Sequence, residues 1–270
     1  MRLRQVALVA KDLERSERRL EALLGLDPGY HDPGIIEFGL DNWVAAIGDT
    51  FLEVVSPVEE NTTAGRYLER RGGDGGYMVI VQVEDLSAAR QRLESVGARI
   101  VWNAVGEAPS GESTLGLHVH PRDCGGAILS VDQATPAAAW VWAGEGWQEK
   151  ASQYVRQIDG VELQTEDPEG MAQRWSELLQ QSVVEASAPD GGAAWSLRCE
   201  GGPFDSSSLP GTVRFVAPRD ERGDGVCGVD FLVTSLEEVE RRASALDLSC
   251  SGVGSVRWVE EGGVRFVFHT

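Results

Sequence analysis

The chain has 270 residues, of which 42% are apolar and 25% charged, a globular composition long enough for two domains. Its 43 acidic residues against 24 basic ones leave a formal net charge of −19, so most of the surface repels phosphate backbones and anionic headgroups, and neither nucleic-acid nor membrane partners are expected. No apolar run approaches the roughly 18 residues of a membrane span. The N-terminal MRLRQVALVAKDL has charges at Lys11 and Asp12 and no small-residue cleavage site, and Cys124, Cys199, Cys227 and Cys250 are too widely spaced for a CxxC pair. A cytoplasmic chain with free thiols is expected.

One pattern, a short strand, a capping residue and an amphipathic helix, recurs four times along the chain. It begins at Val6 to Asp12-Leu13, Val79 to Asp85-Leu86, Val161 to Asp167-Pro168 and Val229 to Ser235-Leu236. Each cap predicts a helix start. Apolar residues follow at helical spacing: Leu13, Leu20, Leu23 and Leu24; Leu86, Ala89, Leu93 and Val96; Met171, Trp175, Leu178 and Leu179; Leu236, Val239, Ala243 and Leu246. Gly-punctuated strands are expected after the helices, at Ile35 to Leu40, Trp43 to Ile47 and Phe51 to Ser56 in the first copy, and at Leu115 to His120 and Ala127 to Val131 in the second. The spacing predicts an α+β fold of four βαβββ modules in two paired halves.

Between the halves, Pro136 to Trp147 breaks the repeat and carries Trp140, Trp142 and Trp147. The expected domains are residues 1–135 (modules 1–72 and 76–133), a Trp-rich linker at 136–150 and a second half at 151–270. The tryptophans either line a ligand cleft or form an interdomain strap against both halves, and the strap is the expectation. Residues 190 to 209, rich in Gly, Ser and Pro, are expected to form a loose hairpin or loop. Asn61 to Arg71 reads as a short capped helix with Arg66 and Arg70 on one face, a pair suited to an anion or to ordinary surface ion pairs; Gly72 to Gly76 lacks a phosphate-loop ending and reads as a module linker.

The four copies, with Gln5-Val-Ala-Leu-Val-Ala-Lys-Asp-Leu at the first strand, Thr50-Phe-Leu-Glu-Val-Val-Ser-Pro at the fourth and His120-Pro-Arg-Asp-Cys-Gly-Gly-Ala-Ile-Leu-Ser at the last hairpin of the second copy, resemble the vicinal oxygen chelate superfamily. Its members include glyoxalase I, methylmalonyl-CoA epimerase, extradiol dioxygenases and metal-free antibiotic-binding proteins, and the likeness is nearest to the glyoxalase-like members. The resemblance implies that paired modules curve into an open cup, with one residue on the first and last strand of each module binding a divalent metal. Gln5 and Glu53 fill both positions of the first module; Met78 and Ser130 stand where a His and a Glu are expected in the second, so the ligand set is broken. In the second half the positions fall on Gly160, Gly228 and Val267, and no metal is expected there.

Alternation along the strands turns Phe51, Ile80 and Gln82 toward the same cup as Gln5, Glu53, Met78 and Ser130. His118 and His120 share a strand that returns opposite Ser130. One of them replaces the missing glutamate as a ligand, or His120 caps the hairpin and His118 is a half-buried strand residue. Burial raises the pKa of a carboxylate in a wall like Phe51-Leu-Glu-Val-Val, which suits a base that removes a proton next to a carbonyl. The expected function is therefore a glyoxalase-like lyase or isomerase for a small molecule, catalysed through Glu53 and Gln5, with Phe51, Met78, Ile80, Gln82, His118, His120 and Ser130 around the ligand. Gln5, Glu53 and either His118 or His120 would hold one divalent ion at partial occupancy. The alternative is a metal-free binding or sequestration protein. A monomer or homodimer is expected.

Overall fold

The computed structural model describes residues 1–199 and 211–270. Each of the four expected caps forms: Asp12, Asp85, Asp167 and Ser235 accept the backbone N–H of Arg15, Ala88, Gly170 and Glu238, and each opens a helix. These helices are α1 (Leu13–Leu24), α3 (Leu86–Ser95), α5 (Pro168–Leu179) and α6 (Leu236–Ala245), with the shorter α2 (Thr63–Arg71) and α4 (Pro121–Cys124) between them.

The first sheet holds β1 (Arg2–Val9), β2 (Leu40–Ile47), β3 (Thr50–Pro57), β4 (Gly75–Gln82), β5 (Ile100–Glu107), β6 (Ser113–Val119) and β7 (Ile128–Thr135), in the order β2-β3-β1-β4-β7-β6-β5. The second holds β8 (Val155–Gln164), β9 (Val183–Ser187), β10 (Ala193–Cys199), β11 (Gly211–Val216), β12 (Gly225–Val233), β13 (Cys250–Val253), β14 (Val256–Glu261) and β15 (Val264–His269), in the order β13-β14-β15-β12-β8-β11-β10-β9. In both sheets the first strands of the paired modules run antiparallel at the centre, β1 beside β4 and β8 beside β12.

Two local expectations change. Ile35 to Leu40 is not a strand: residues Pro33–Phe38 form a 3-10 turn, because Asp32 caps Gly34 and Pro33 presets the first turn. The first module is thus βαββ. Of the hairpin or loop expected from Asp190, the hairpin forms: Asp190 lies in the turn between antiparallel β9 and β10, and Ala193–Cys199 is paired on both sides and not a loop; residues 200–209 of that expectation lie outside the described residues.

One core joins the halves. It gathers one face of each sheet, with Val6, Leu8, Val79 and Leu129 from the first and Val161, Phe215, Phe231 and Phe266 from the second, and the apolar faces of α1, α3, α5 and α6. Buried polar contacts cross the same boundary: the Trp175 indole donates to the Cys124 carbonyl at 2.8 Å, and the Tyr154 hydroxyl to the Leu23 carbonyl at 2.6 Å. The opposite face of each sheet is left for other partners. No helix among the described residues is long and apolar enough to cross a membrane, and the four cysteines are free thiols.

Candidate functional site

The first sheet curls until its two edges meet. Phe38, just before the edge strand β2, packs edge-on against Trp102 of the opposite edge strand β5, with ring centroids 5.1 Å apart. The concave face inside carries Ala7, Val9, Val44, Ala46, Phe51, Val55, Met78 and Ile80, as strand alternation requires. Gln5, Glu53, Ser130 and Asp132 are buried polar residues of the same sheet.

Glu53 is 6% exposed and is held by two neutral amides: Gln5 Nε2 donates to its Oε2 at 2.8 Å and Asn42 Nδ2 to its Oε1 at 2.8 Å. No cation pairs with it among the described residues. Burial pushes its pKa up, only partly offset by the two amides. Asp132, on the strand that carries Ser130, is a second such group. It accepts from the Ser130 hydroxyl and from the Trp142 indole at 2.8 Å, and burial pushes its carboxyl up to about 7.

The Trp-rich linker fills this cup. Trp140 stacks on Phe51 and donates its indole N–H to Gln5 Oε1 at 2.7 Å, while Trp147 packs edge-on against Phe51. Trp142 lies flat on Gly106 of β5, where a Cβ would come within 2.4 Å of the ring. The expected strap against both halves is therefore corrected: its three rings bury against the N-terminal half, because that half supplies an aromatic wall and two acceptors for indole N–H groups. The start of the linker is fastened by Arg2 and Gln82, which donate to the Ala137 carbonyl, and by Arg4, which donates to that of Ala138. Arg4 reaches the cup because the β1–β4 register slips between Leu3 and Gln5, so two consecutive residues face the same way. Its guanidinium sits 5.0 to 5.4 Å from the rings of Phe51, Trp140 and Trp147, and burial lowers its pKa to about 10.

The remaining expected residues separate. His118 lies directly across from Ser130, half-buried, with its pKa pushed down to about 4 by burial, so it is a neutral imidazole. His120 is the cap of α4, its Nδ1 accepting the Arg122 N–H at 3.1 Å, and lies beyond the end of β6. Gln82 is fully buried and fastens the linker. Arg66 and Arg70 do not form an anion clamp: Arg66 folds onto the Asn61 carbonyl and the Thr63 hydroxyl, and Arg70 lies over the Tyr67 ring.

Asn42, Arg4 and Asp132 were not singled out from the sequence. Asp132 was readable, since it follows Ser130 by two residues on one strand. Asn42 sits one residue before the expected strand start, and Arg4 depends on a bulge that no sequence pattern marks.

The four family metal positions do not fit a divalent ion. Glu53 already accepts from Gln5 and Asn42, and Gln5 Oε1 from Trp140; the Ser130 hydroxyl donates to Asp132 and is a weak neutral ligand; Met78 offers only a thioether within an apolar cluster. Among the described residues no group of three or more His, Cys, Asp or Glu is placed to hold one.

With this geometry in hand, the comparisons with known proteins are specific. A family model described as a glyoxalase-like domain matches residues 6–179. The chain belongs to that family, within the vicinal oxygen chelate superfamily. The ethylmalonyl-CoA/methylmalonyl-CoA epimerase of Cereibacter sphaeroides is 29% identical over 140 residues, covering 49% of this chain and 97% of that protein. The mitochondrial methylmalonyl-CoA epimerase of Homo sapiens is 26% identical over 133 residues, covering 49% and 74%. Over the whole fold, a variant of 4-hydroxymandelate synthase from Streptomyces coelicolor superposes with a TM-score of 0.66 at 13% identity, covering 99% of this chain and 91% of that one. The Mn(II)-bound glyoxalase from Novosphingobium aromaticivorans does so with a TM-score of 0.64 at 13% identity, covering 99% and 81%.

Proposed function

We propose that the first cup carries out an isomerase-type reaction on a small carbonyl compound, moving a proton at the carbon next to the carbonyl. The observation that carries this reading is Glu53, a buried carboxylate with two neutral amide partners and no cation among the described residues. A cation would hold its pKa down and blunt it as a base; burial among amides does the reverse. Gln5 and Asn42 orient the carboxylate and leave its basicity high.

Asp132 supplies the complementary group. With a carboxyl near 7 it is substantially protonated at neutral pH, and it lies on a different strand of the same cup, so one carboxylate removes the proton while another carboxyl returns one. The neutral His118 opposite Ser130 adds a hydrogen-bonding group without a charge. The epimerase names of the relatives support a substrate with an acidic C–H flanked by an acyl carbonyl. Substrate entry requires Trp140 and Trp142 to leave Gln5 and Asp132, so the linker acts as a cover that the substrate displaces.

The test is hydrogen–deuterium exchange at C2 of methylmalonyl-CoA in D2O, followed by NMR. Exchange is expected with the wild type and a loss of about 10²-fold or more with Glu53→Gln, the usual scale for a general base. Absence of exchange with the wild type, or its survival in the variant, overturns the reading. A second reading, metal-free binding of an apolar compound, is favoured by the aromatic wall of Phe51, Trp140 and Trp147. It predicts binding without exchange and an affinity that Glu53→Gln leaves intact.

A further inference from the structure

The second sheet repeats the register of the first but not its side chains. Ala7 pairs with Glu53 across β1 and β3; Glu162 pairs with Arg214 across β8 and β11, so Arg214 occupies in the second half the place of Glu53 in the first. Beyond Arg214, towards the edge of the sheet, lie Ser196 and Val184 in the same row, with Thr212 and Arg198 in the next. Together with Ala186 they line a groove of about 370 Å³, within the size range of small-molecule sites.

Among the described residues two arginines and no carboxylate line the groove, although the chain as a whole has a net charge of −19. Asp230 takes one terminal nitrogen of Arg214, Glu162 accepts from Arg214 Nε at 3.5 Å and from Arg219 at 2.5 Å, and Asp190 accepts from Arg219 and Arg265 at 2.7 and 2.9 Å. Arg214 is 9% exposed, so these contacts fix its guanidinium, while its other terminal nitrogen, Nη1, has no partner among the described residues. Arg198 is exposed at the rim and forms no ion pair among the described residues. A fixed guanidinium at depth, an exposed one at the rim, hydroxyls from Ser196 and Thr212, and an apolar wall from Val184 and Ala186 define the chemistry of the occupant.

We propose that this groove is a second ligand site, which takes a small organic carboxylate: the carboxylate sits on Arg214 and Arg198, and a short apolar chain lies on Val184 and Ala186. The site is independent of the first cup and of its reaction.

Calorimetric titration of the full chain with hexanoate tests it, with hexanamide and inorganic phosphate as comparison probes. One hexanoate per chain is expected, weakened about tenfold by Arg198→Gln and by a similar factor by Arg214→Lys, which keeps one charge but cannot hold Glu162 and Asp230 and still present a further N–H to the groove. Glu53→Gln leaves it unchanged. Should Arg214→Lys unfold, which a thermal melt reveals, Arg198→Gln decides alone, because its side chain is exposed. Four outcomes overturn the proposal: no hexanoate binding to the folded wild type, equal binding of hexanamide, tighter binding of phosphate than of hexanoate, or hexanoate affinity that Arg198→Gln leaves unchanged.

Discussion

The two halves share one backbone plan and fill it with opposite chemistry. At register-equivalent positions the first cup has Gln5, Glu53, Met78 and Ser130, and the second has Gly160, Arg214, Gly228 and Val267. In the first, carboxyls are buried among amides, hydroxyls and indoles, and both Glu53 and Asp132 are pushed towards protonation. In the second, burial pushes the Asp230 carboxyl up as well, with Arg214 beside it offsetting only part of the shift, while at Asp190, in the turn between β9 and β10, burial is outweighed by Arg219 and Arg265, which hold the carboxyl below its ordinary value. The difference lies in the partners: amides, a hydroxyl and an indole hold Glu53 and Asp132, whereas arginines hold Glu162 and Asp230. The glycines matter to this outcome. A Cβ on Gly160 would lie 2.1 Å from the Asp230 carboxylate, so the loss of a side chain at the inherited ligand position makes room for a buried ion pair. What the fold conserves is the register; what a cup does follows from the partners of each inward charge.

The strongest way to break this contrast is to remove the cover of the first cup. Trp140→Ala deletes a buried ring stacked on Phe51, strips one neighbour from Arg4 and leaves Gln5 Oε1 without its donor. A loss of about 3–5 kcal/mol in urea-unfolding free energy is expected. A loss below about 1 kcal/mol would show that the linker is not seated in the cup. Next comes the ion pair of the second cup: Arg214→Met strands the buried Asp230 and weakens the hold on Glu162, at a cost of about 3 kcal/mol. Glu53→Gln removes a buried charge with no counter-ion among the described residues but turns its new NH2 towards Gln5 or Asn42, both donors, so it should cost only about 1–2 kcal/mol in the same assay. Similar losses for the two variants would erase the distinction between the cups.

Stability against pH sharpens the comparison further. The Asp132 carboxyl titrates near 7 when folded and near its ordinary 3.8 when unfolded, so between those values the folded chain binds the extra proton. Its contribution to stability is therefore largest below about pH 4 and declines as pH rises towards 7, at about 1.4 kcal/mol for each unit of separation. Asp132→Asn should flatten that part of the unfolding profile, measured at pH 4.5, 6 and 7.5. An unchanged slope would mean that Asp132 is ionised throughout.

Much of this was open to inspection in the chain itself, because the signals are local. Asp12, Asp85, Asp167 and Ser235 each precede an apolar stripe, and a cap acts on an N–H three residues away. Alternation put Phe51, Val55, Met78 and Ile80 on one face because a paired strand has no other way to arrange them. The same rule misplaces a residue wherever a bulge intervenes, as at Arg4. The 3-10 turn at Pro33–Phe38 replaced a strand because Asp32-Pro33 starts a turn more strongly than Ile35 and Ile36 extend one. The seat of Trp140, Trp142 and Trp147 had no local signal at all: their partners, Gln5, Phe51, Gly106 and Asp132, come from four strands, and only the curl of the sheet brings them together.

That curl itself can be tested through its smallest contact. Phe38 and Trp102 are 37% and 41% exposed, so neither carries much of the core, yet they are the aromatic pair that links the two edges of the first sheet. Edge-to-face rings at this separation contribute about 0.5–1.5 kcal/mol beyond their burial. A double-mutant cycle of Phe38→Ala and Trp102→Ala should therefore return a coupling in that range, because the pair interacts directly and each single truncation removes the contact without leaving a buried polar group. The same contact lies at the rim of the first cup. If the linker is the cover and this pair only the rim, either truncation should leave the exchange rate of the wild type within about twofold, while Trp140→Phe, which keeps the ring and removes the donor to Gln5, should change it more. A rate that follows Phe38 and Trp102 and ignores Trp140 would move the gate from the floor of the cup to its edge.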